Sequence, residues 1–234
     1  MDNNWVVYVV VALSFLGIGY FYIKGQRNKQ LAYIKDYHFH HAIKTKLLAK
    51  HPQLTADQLH LVFRGLRDYF FMCNCAGKKN VAMPSRVVDD AWHEFILFTR
   101  SYKKFCRKSL GRFLHHTPTE AMASPTIATE GIKRAWRLAC AKERIDAAKP
   151  NRMPLIFAID GMLSIEDGFT YAINCQDKTS STNGSNYCAG HIGCASGCAG
   201  DSGSTIDSTH DAGGFFDNFF DSDGGGCGGG CGGD

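Results

Sequence analysis

Nineteen consecutive residues without a charge, "WVVYVVVALSFLGIGYFYI" at positions 5 to 23, constrain this chain more than any other feature. At a rise of ~1.5 Å per residue, a helix of that length reaches across the ~30 Å hydrocarbon layer of a bilayer. Trp5 and the cluster Tyr20, Phe21 and Tyr22 lie near the two ends, where amphipathic rings favour the membrane–water interface. Asp2, Asn3 and Asn4 stand where a secretory signal carries its basic leader, and "YIKGQRNKQ" after the run offers no small-residue cleavage site. The expectation is an uncleaved anchor over residues 1–26. Lys24, Arg27 and Lys29 follow the span while only acidic Asp2 precedes it. The positive-inside rule then places the N-terminus outside and the C-terminal bulk in the cytosol. A reducing compartment disfavours structural disulfides among the ten cysteines and shifts weight to metal binding, buried thiols or redox roles.

Charge divides the chain. Residues 1–149 carry 24 Lys plus Arg against 11 Asp plus Glu, a balance of +13, and residues 150–234 carry 2 against 11, a balance of −9, which together give the net +4. A basic domain beside a bilayer attracts anionic lipid headgroups, and equally the chain's own acidic tail or nucleic acid, while any protein partner is unknown from the sequence. No basic motif interleaved with aromatics is present, so nucleic acid is not the expected partner.

Beyond the anchor, apolar residues recur at helical spacing. Leu31, Ile34, Tyr37, Ala42, Ile43, Leu47 and Leu48 predict a helix over 28–50, which His51-Pro52 ends. Thr55-Ala-Asp-Gln58 is a capping box, opening a helix with Leu59, Val62, Phe63, Leu66, Tyr69 and Phe70 on one face. "CAGKKN" breaks it. Ser85 is placed to cap the next helix, which carries "VVDDAWHEFILFTRSYKKFC" at 87–106. A further helix is expected over Thr129–Ala147 with Ile132, Trp136, Leu138 and Cys140 inward, and "MPLIFAIDGML" reads as a short helix or turn closing the core. No segment alternates like a strand. The expected fold class is all-α: one N-terminal transmembrane helix and a multi-helix domain over 27–174. Residues 175–234 hold 16 of the 25 glycines and 6 of the 10 cysteines with almost no aliphatics. Such a segment buries too little apolar surface to offset its ordering entropy, so a disordered acidic Gly/Cys-rich tail is expected. Within it "GGFFDNFFDSD" is a candidate docking motif, and Cys227 and Cys231 are open to metal binding or modification.

On a helix Asp89 and His93 lie one turn apart, as do Asp90 and Glu94, while Val88, Trp92, Phe95, Ile96 and Thr99 form the opposite stripe. Tyr102, Phe105 and Cys106 continue an apolar face, and His115 and His116 follow "GRFL". Asp89, His93, His115 and His116 are therefore candidate metal ligands, with zinc the candidate ion, and an open position there would allow metal-assisted hydrolysis. Packing explains the same residues differently. His93 bonds Asp89 and supports Trp92, and His115 and His116 meet the end of a helix, where cationic side chains are favoured. A Cys106–His93 nucleophile pair requires the chain to fold back on itself; otherwise Cys106 is a small buried hydrophobe. No His-Glu-x-x-His frame is present. Cys188, His191, Cys194 and Cys198 give C-x2-H-x2-C-x3-C, a second set of candidate metal ligands, while Cys73 and Cys75 end a helix and read as packing.

Val88, Asp89, Trp92, His93, Thr99, Tyr102 and Cys106 resemble the signature of the glycine-rich domain-containing protein-like family: Val-Asp-x-x-Trp-His, then a Thr- or Pro-led Tyr and a Cys. Gly111 to Pro118, "GRFLHHTP", is similar to the continuation in bacterial members, and "MPLIFAIDGMLSIEDGFTY" to the family's closing segment. The resemblance covers about residues 35–172. Phe95 stands where plant members often have a second histidine, so no His-x-His pair is formed. The glycine-rich C-terminal tail also fits the family's name, and the resemblance implies little about molecular function. The leading expectation is a non-enzymatic anchored binding or scaffolding protein; the alternatives are a metal-dependent enzyme at His93 and metal buffering by the tail.

Overall fold

Thirty-two residues, Asn4–Lys35, form one uninterrupted helix, α1. The structure is a computed structural model that describes residues 4–116, 125–173 and 186–188. Large apolar side chains between Val7 and Ile23 point outward, Phe15 and Leu16 each 70% exposed and Phe21 72%. From Val7 the helix is long and apolar enough to cross a membrane, and its apolar stretch is 0% buried. Its last turns change character: Ile34 is 2% exposed and belongs to the core. The single helix expected over 28–50 is thus two. α1 ends at Lys35, and α2 spans His41–Lys50. One local and one tertiary feature cause the break. The extended His40 caps α2 by accepting the Ala42 N–H at Nδ1 (3.1 Å), and the Arg67 guanidinium holds the Tyr37 carbonyl with bonds of 3.1 and 3.0 Å.

α3 (Ala56–Cys75) is the central helix, and the expected capping box opens it: Thr55 Oγ1 accepts from Gln58 N and Gln58 Oε1 from Thr55 N. Around it pack α4 (Arg86–Leu97), α5 (Thr99–Leu110), α6 (Pro125–Glu143) and α7 (Leu155–Met162). Phe63, Phe70, Phe95, Phe105, Tyr102 and Trp136 are fully buried. Burying a ring of this kind contributes about 1.5–3 kcal/mol each, so this aromatic interior dominates the fold's stabilisation. Gly65 lets α4 approach α3 closely; a Cβ there would lie 3.0 Å from Val88 Cγ2.

The expected helix through 87–106 also divides. Phe98 (φ −84, ψ 59) ends α4 and caps α5, leaving Thr99 exposed rather than buried and Ile96 half-buried. α6 starts four residues before Thr129 and stops at Glu143, where Arg144 takes a left-handed φ of 56°. Asp160 on α7 fixes the start of α4. Its buried carboxylate accepts from Ser85 Oγ (2.7 Å), Arg86 N (2.6 Å), Val87 N (3.2 Å) and Phe169 N (2.9 Å).

The all-α architecture holds among the described residues, with one addition. Thr170–Ala172 (β1) pairs in parallel with Asn186–Cys188 (β2), Thr170 opposite Asn186 and Ala172 opposite Cys188. Three residues are too few to show strand alternation, and backbone bonding alone defines the pair. The chain divides into two units, Met1–Ala195 and Ser196–Asp234. Of the expected tail, only 186–188 is described; "GGFFDNFFDSD", Cys227 and Cys231 lie outside the described residues.

Candidate metal-binding cleft

The surface over α4 opens into a cleft of about 490 Å³. Its wall is assembled mainly from the N-terminal face of α4, the segment 78–83 and the segment 112–116 that follows α5, with Tyr69 and Cys73 of α3 and Phe169 completing it.

Ser85 and Asp160 set the start of α4, which places Asp89 and His93 one turn apart facing the cleft. Segment 112–116 is positioned by a buried relay. Trp92 Nε1 donates to Tyr102 Oη (3.1 Å), and Tyr102 Oη donates to the Leu114 carbonyl (2.6 Å). The turn at Phe98 brings Tyr102 back beneath Trp92 and makes this relay possible. Gly111, at φ 67°, closes α5 with a left-handed cap that a side chain would strain. His116 then lies against Trp92, ring centroids 4.6 Å apart, and against His93, 4.2 Å apart.

Asp89 joins the two imidazoles. Its Oδ1 lies 3.0 Å from His116 Nε2 and its Oδ2 3.4 Å from His93 Nδ1. One ligand atom from each of Asp89, His93 and His116 falls within 4.8 Å of the others. His93 is 47% exposed, whereas Asp89 and His116 are 18% and 16% exposed. The site is therefore neither a closed core network nor a loose surface cluster. It is a half-sheltered group with one face toward the cleft. A carboxylate and two imidazoles suit a borderline divalent ion such as zinc.

The four proposed ligands separate. His115, next in sequence to His116, is exposed and packs on Phe113, ring centroids 4.7 Å apart; it lines the cleft but is not part of the three-residue group. The two histidines do not cap α5, which ends at Leu110. Cys106 is 0% exposed among core residues and hydrogen-bonded with Tyr102, so a nucleophile pair with half-exposed His93 is not formed. Burial raises its thiol pKa. Cys73, a buried residue at the base of the cleft lining, has its thiol pushed up to about 12 by burial, so it stays protonated at neutral pH and behaves as a hydrophobe. Cys75 is likewise raised by burial, with Arg27 opposing. Of the tail ligands, Cys188 lies in β2, and His191, Cys194 and Cys198 lie outside the described residues.

Several residues of the cleft escape a sequence reading. Lys78, Lys79, Arg86 and Arg112 line it, and Asp89 is the one acidic group among its lining residues. Arg112 donates to the Gly77 carbonyl (2.6 Å), and none of the four cations is ion-paired among the described residues. Segment 78–83 is pinned from two sides. Tyr69 Oη donates to Val81 O (3.1 Å), Ala82 N to Gly131 O (3.2 Å) and Arg134 to Asn80 O (2.5 Å). Lys78-Lys79 in sequence carries only a charge-pair signal, and Arg86 and Arg112 carry none until the fold brings them together. Asp90, the other acid of the pair, turns the opposite way. It is 3% exposed and bonded to His51 Nε2 (2.8 Å) and Lys50 Nζ, a structural clasp between α2 and α4.

Residues 29–192 match the family model described as UCP032817-like. No curated protein and no solved structure matches the chain. The matched stretch begins inside the domain end of α1, includes every residue of the cleft, and continues through β2. Covering well over half of the sequence, that match makes the chain a member of the UCP032817-like family.

Proposed function

We propose that this is a membrane-anchored binding protein whose helical domain, on the cytosolic side, holds a divalent metal ion at Asp89, His93 and His116 and presents it to an anionic ligand in the cleft. The observation that carries the reading is the convergence of one carboxylate and two imidazoles within 4.8 Å at the wall of an open cleft. A histidine serving only to pack Trp92 has no need of a half-exposed ring; His116 does that packing instead. Zinc is the ion the donor set fits, with Asp89, His93 and His116 as its ligands and a remaining position open to the cleft. A zinc ion held by these three residues would polarise an oxygen ligand or lower the pKa of a bound water.

A second reading follows from the same open position. Three protein ligands with a free fourth site is the arrangement of catalytic rather than structural zinc, and His115 lines the same cleft. A hydrolytic enzyme is the alternative this supports. The binding role is preferred because Asp89, the one carboxylate among the described lining residues, would be taken up by the metal, and His115, the remaining acid–base group, packs on Phe113 outside the three-residue cluster. The exposed apolar run of α1 supports anchoring, and the basic residues after it support a cytosolic domain.

Elemental analysis of the detergent-purified chain tests the metal. To remove the tail's ligands, Cys188, Cys194 and Cys198 are changed to serine. About one equivalent of zinc is expected, falling to background in His116→Ala protein of unchanged helicity. Zinc retained in that variant, or zinc lost with the serine changes alone, overturns the reading.

A further inference from the structure

The cleft has a fixed position along the membrane-spanning helix. The apolar run ends at Ile23. Four residues on, ~6 Å along the axis, the Arg27 guanidinium donates to the carbonyls of Asn74 (3.4 Å) and Cys75 (3.0 Å) at the end of α3. One turn further, Gln30 Oε1 accepts from Asn74 Nδ2 (2.9 Å), and the same Asn74 nitrogen donates to Ser109 O (2.7 Å) at the end of α5. The C-terminal ends of α3 and α5 are therefore both tied to α1 within two turns of its apolar boundary. Lys78 and Lys79 follow the first of these ends and Arg112 the second, joined to it by the bond to Gly77 O. The headgroup layer on each side of a bilayer is ~5–8 Å thick. The cationic rim of the cleft thus lies at or just above that layer when α1 spans the membrane.

We infer that the cleft receives the phosphate monoester headgroup of a membrane lipid, with Lys78, Lys79 and Arg112 pairing the phosphate at the rim. This rests on the anchored-cleft reading above, and the metal at Asp89, His93 and His116 would face the headgroup from the inner wall. Charge selects the monoester. Four lining cations against one carboxylate leave an excess of three positive charges from the side chains alone, to which the metal would add two, and the roughly −1.5 to −2 of a monoester complements this better than the single charge of a diester. Volume agrees: about 490 Å³ falls in the range of small-ligand sites and holds a headgroup, not acyl chains. A second groove of about 450 Å³, lined by Arg100, Lys103, Lys104 and Arg107, shares Arg112 and Phe113 with the cleft and extends the same positive field. Such a field concentrates anionic lipid at the mouth. Phe113, 44% exposed between the two cavities, is placed to rest on the glycerol or upper acyl region of the lipid.

The test uses the full 234-residue chain in a neutral detergent, zinc-loaded, titrated calorimetrically with four probes. These are dioctanoyl phosphatidic acid (monoester), dioctanoyl phosphatidylglycerol (diester), dioctanoyl phosphatidylcholine (zwitterion) and glycerol 3-phosphate (soluble monoester). Saturable binding of phosphatidic acid near one equivalent is expected, at least tenfold tighter than the diester and the soluble monoester. The triple variant Lys78→Gln, Lys79→Gln, Arg112→Gln is expected to weaken it more than tenfold. Equal affinity for glycerol 3-phosphate would overturn the lipid in favour of a soluble phosphate ester. Equal affinity for all three lipids, or binding unchanged in the triple variant, would overturn the headgroup site. Stoichiometric zinc with no lipid binding would sink this inference and leave the metal site standing. Lipid binding that persists undiminished in zinc-free His116→Ala protein would overturn the metal's part in holding the headgroup and leave the cationic headgroup site.

Discussion

Asp89 and Asp90 are neighbours in sequence with opposite fates, and the difference is set by one step of a helix. Asp89 turns to the cleft and meets two imidazoles; Asp90 turns inward and is clasped by His51 and Lys50. The helical offset of four residues made Asp89 with His93 legible before any fold was known. His116 was legible as chemistry but not as the one of two adjacent histidines that converges, because the Trp92–Tyr102–Leu114 relay makes that choice. The burial of Asp90 was invisible, since it sits on the helix as an ordinary polar residue until α2 covers it. The sheltered carboxylates carry the larger energetic consequences. Asp160→Asn keeps the shape but replaces one acceptor oxygen with a donor facing other donors. A loss of about 2–3 kcal/mol is expected, measured as a lowered denaturation midpoint. His93→Ala, at a half-exposed position, is expected to cost less than about 1 kcal/mol while abolishing metal retention. A large stability loss without loss of metal would return His93 to a packing role.

At the level of elements, helix content was readable from apolar spacing and helix boundaries were not. The runs expected at 28–50 and 87–106 each divide because tertiary partners, Arg67 at Tyr37 and Tyr102 beneath Trp92, favour a break that local propensity does not encode. Close approaches show the same dependence. Gly131 on α6 lets segment 80–82 come near; a Cβ there would lie 3.2 Å from the Ala82 nitrogen and 3.1 Å from Asn80 Nδ2. Gly131→Val is expected to push that segment outward, costing about 1–3 kcal/mol and weakening ligand binding in the cleft more than it weakens metal binding. Titration of zinc and of phosphatidic acid into the variant separates the two effects, and an equal loss of both would count against segment 78–83 as the ligand-facing wall.

At the scale of the whole molecule, Cys73, Cys106 and Cys140 are buried thiols and Cys75 is half-buried, and the buried ones fix how the protein responds to alkali. Burial pushes Cys73 and Cys140 from an ordinary 9.0 to about 12, and raises Tyr69 well above its usual range. The unfolded chain releases these thiol protons near pH 9 while the folded chain keeps them. Stability is therefore intact below pH 9 and declines as pH rises from 9 toward 12. Urea midpoints taken in detergent at pH 8 and pH 10.5 are expected to differ clearly, and Cys73→Ala to reduce the difference; a flat profile would show these thiols to be more open to water than the core allows. The other whole-molecule property lies in α1. A helix that runs without interruption from an exposed apolar stretch into the core, bonded to α3 through Arg27 and Gln30, is a mast rather than a tether. In the proposed topology the domain can spin about that mast and lean with it, but it has no slack to lift away. The height of the cleft above the acyl chains is then set by the lipid itself: a thicker bilayer draws the rim down into the headgroups, and a thinner one raises it or tilts it aside. Membrane thickness becomes a dial on occupancy, one that turns without any change in the protein's own conformation.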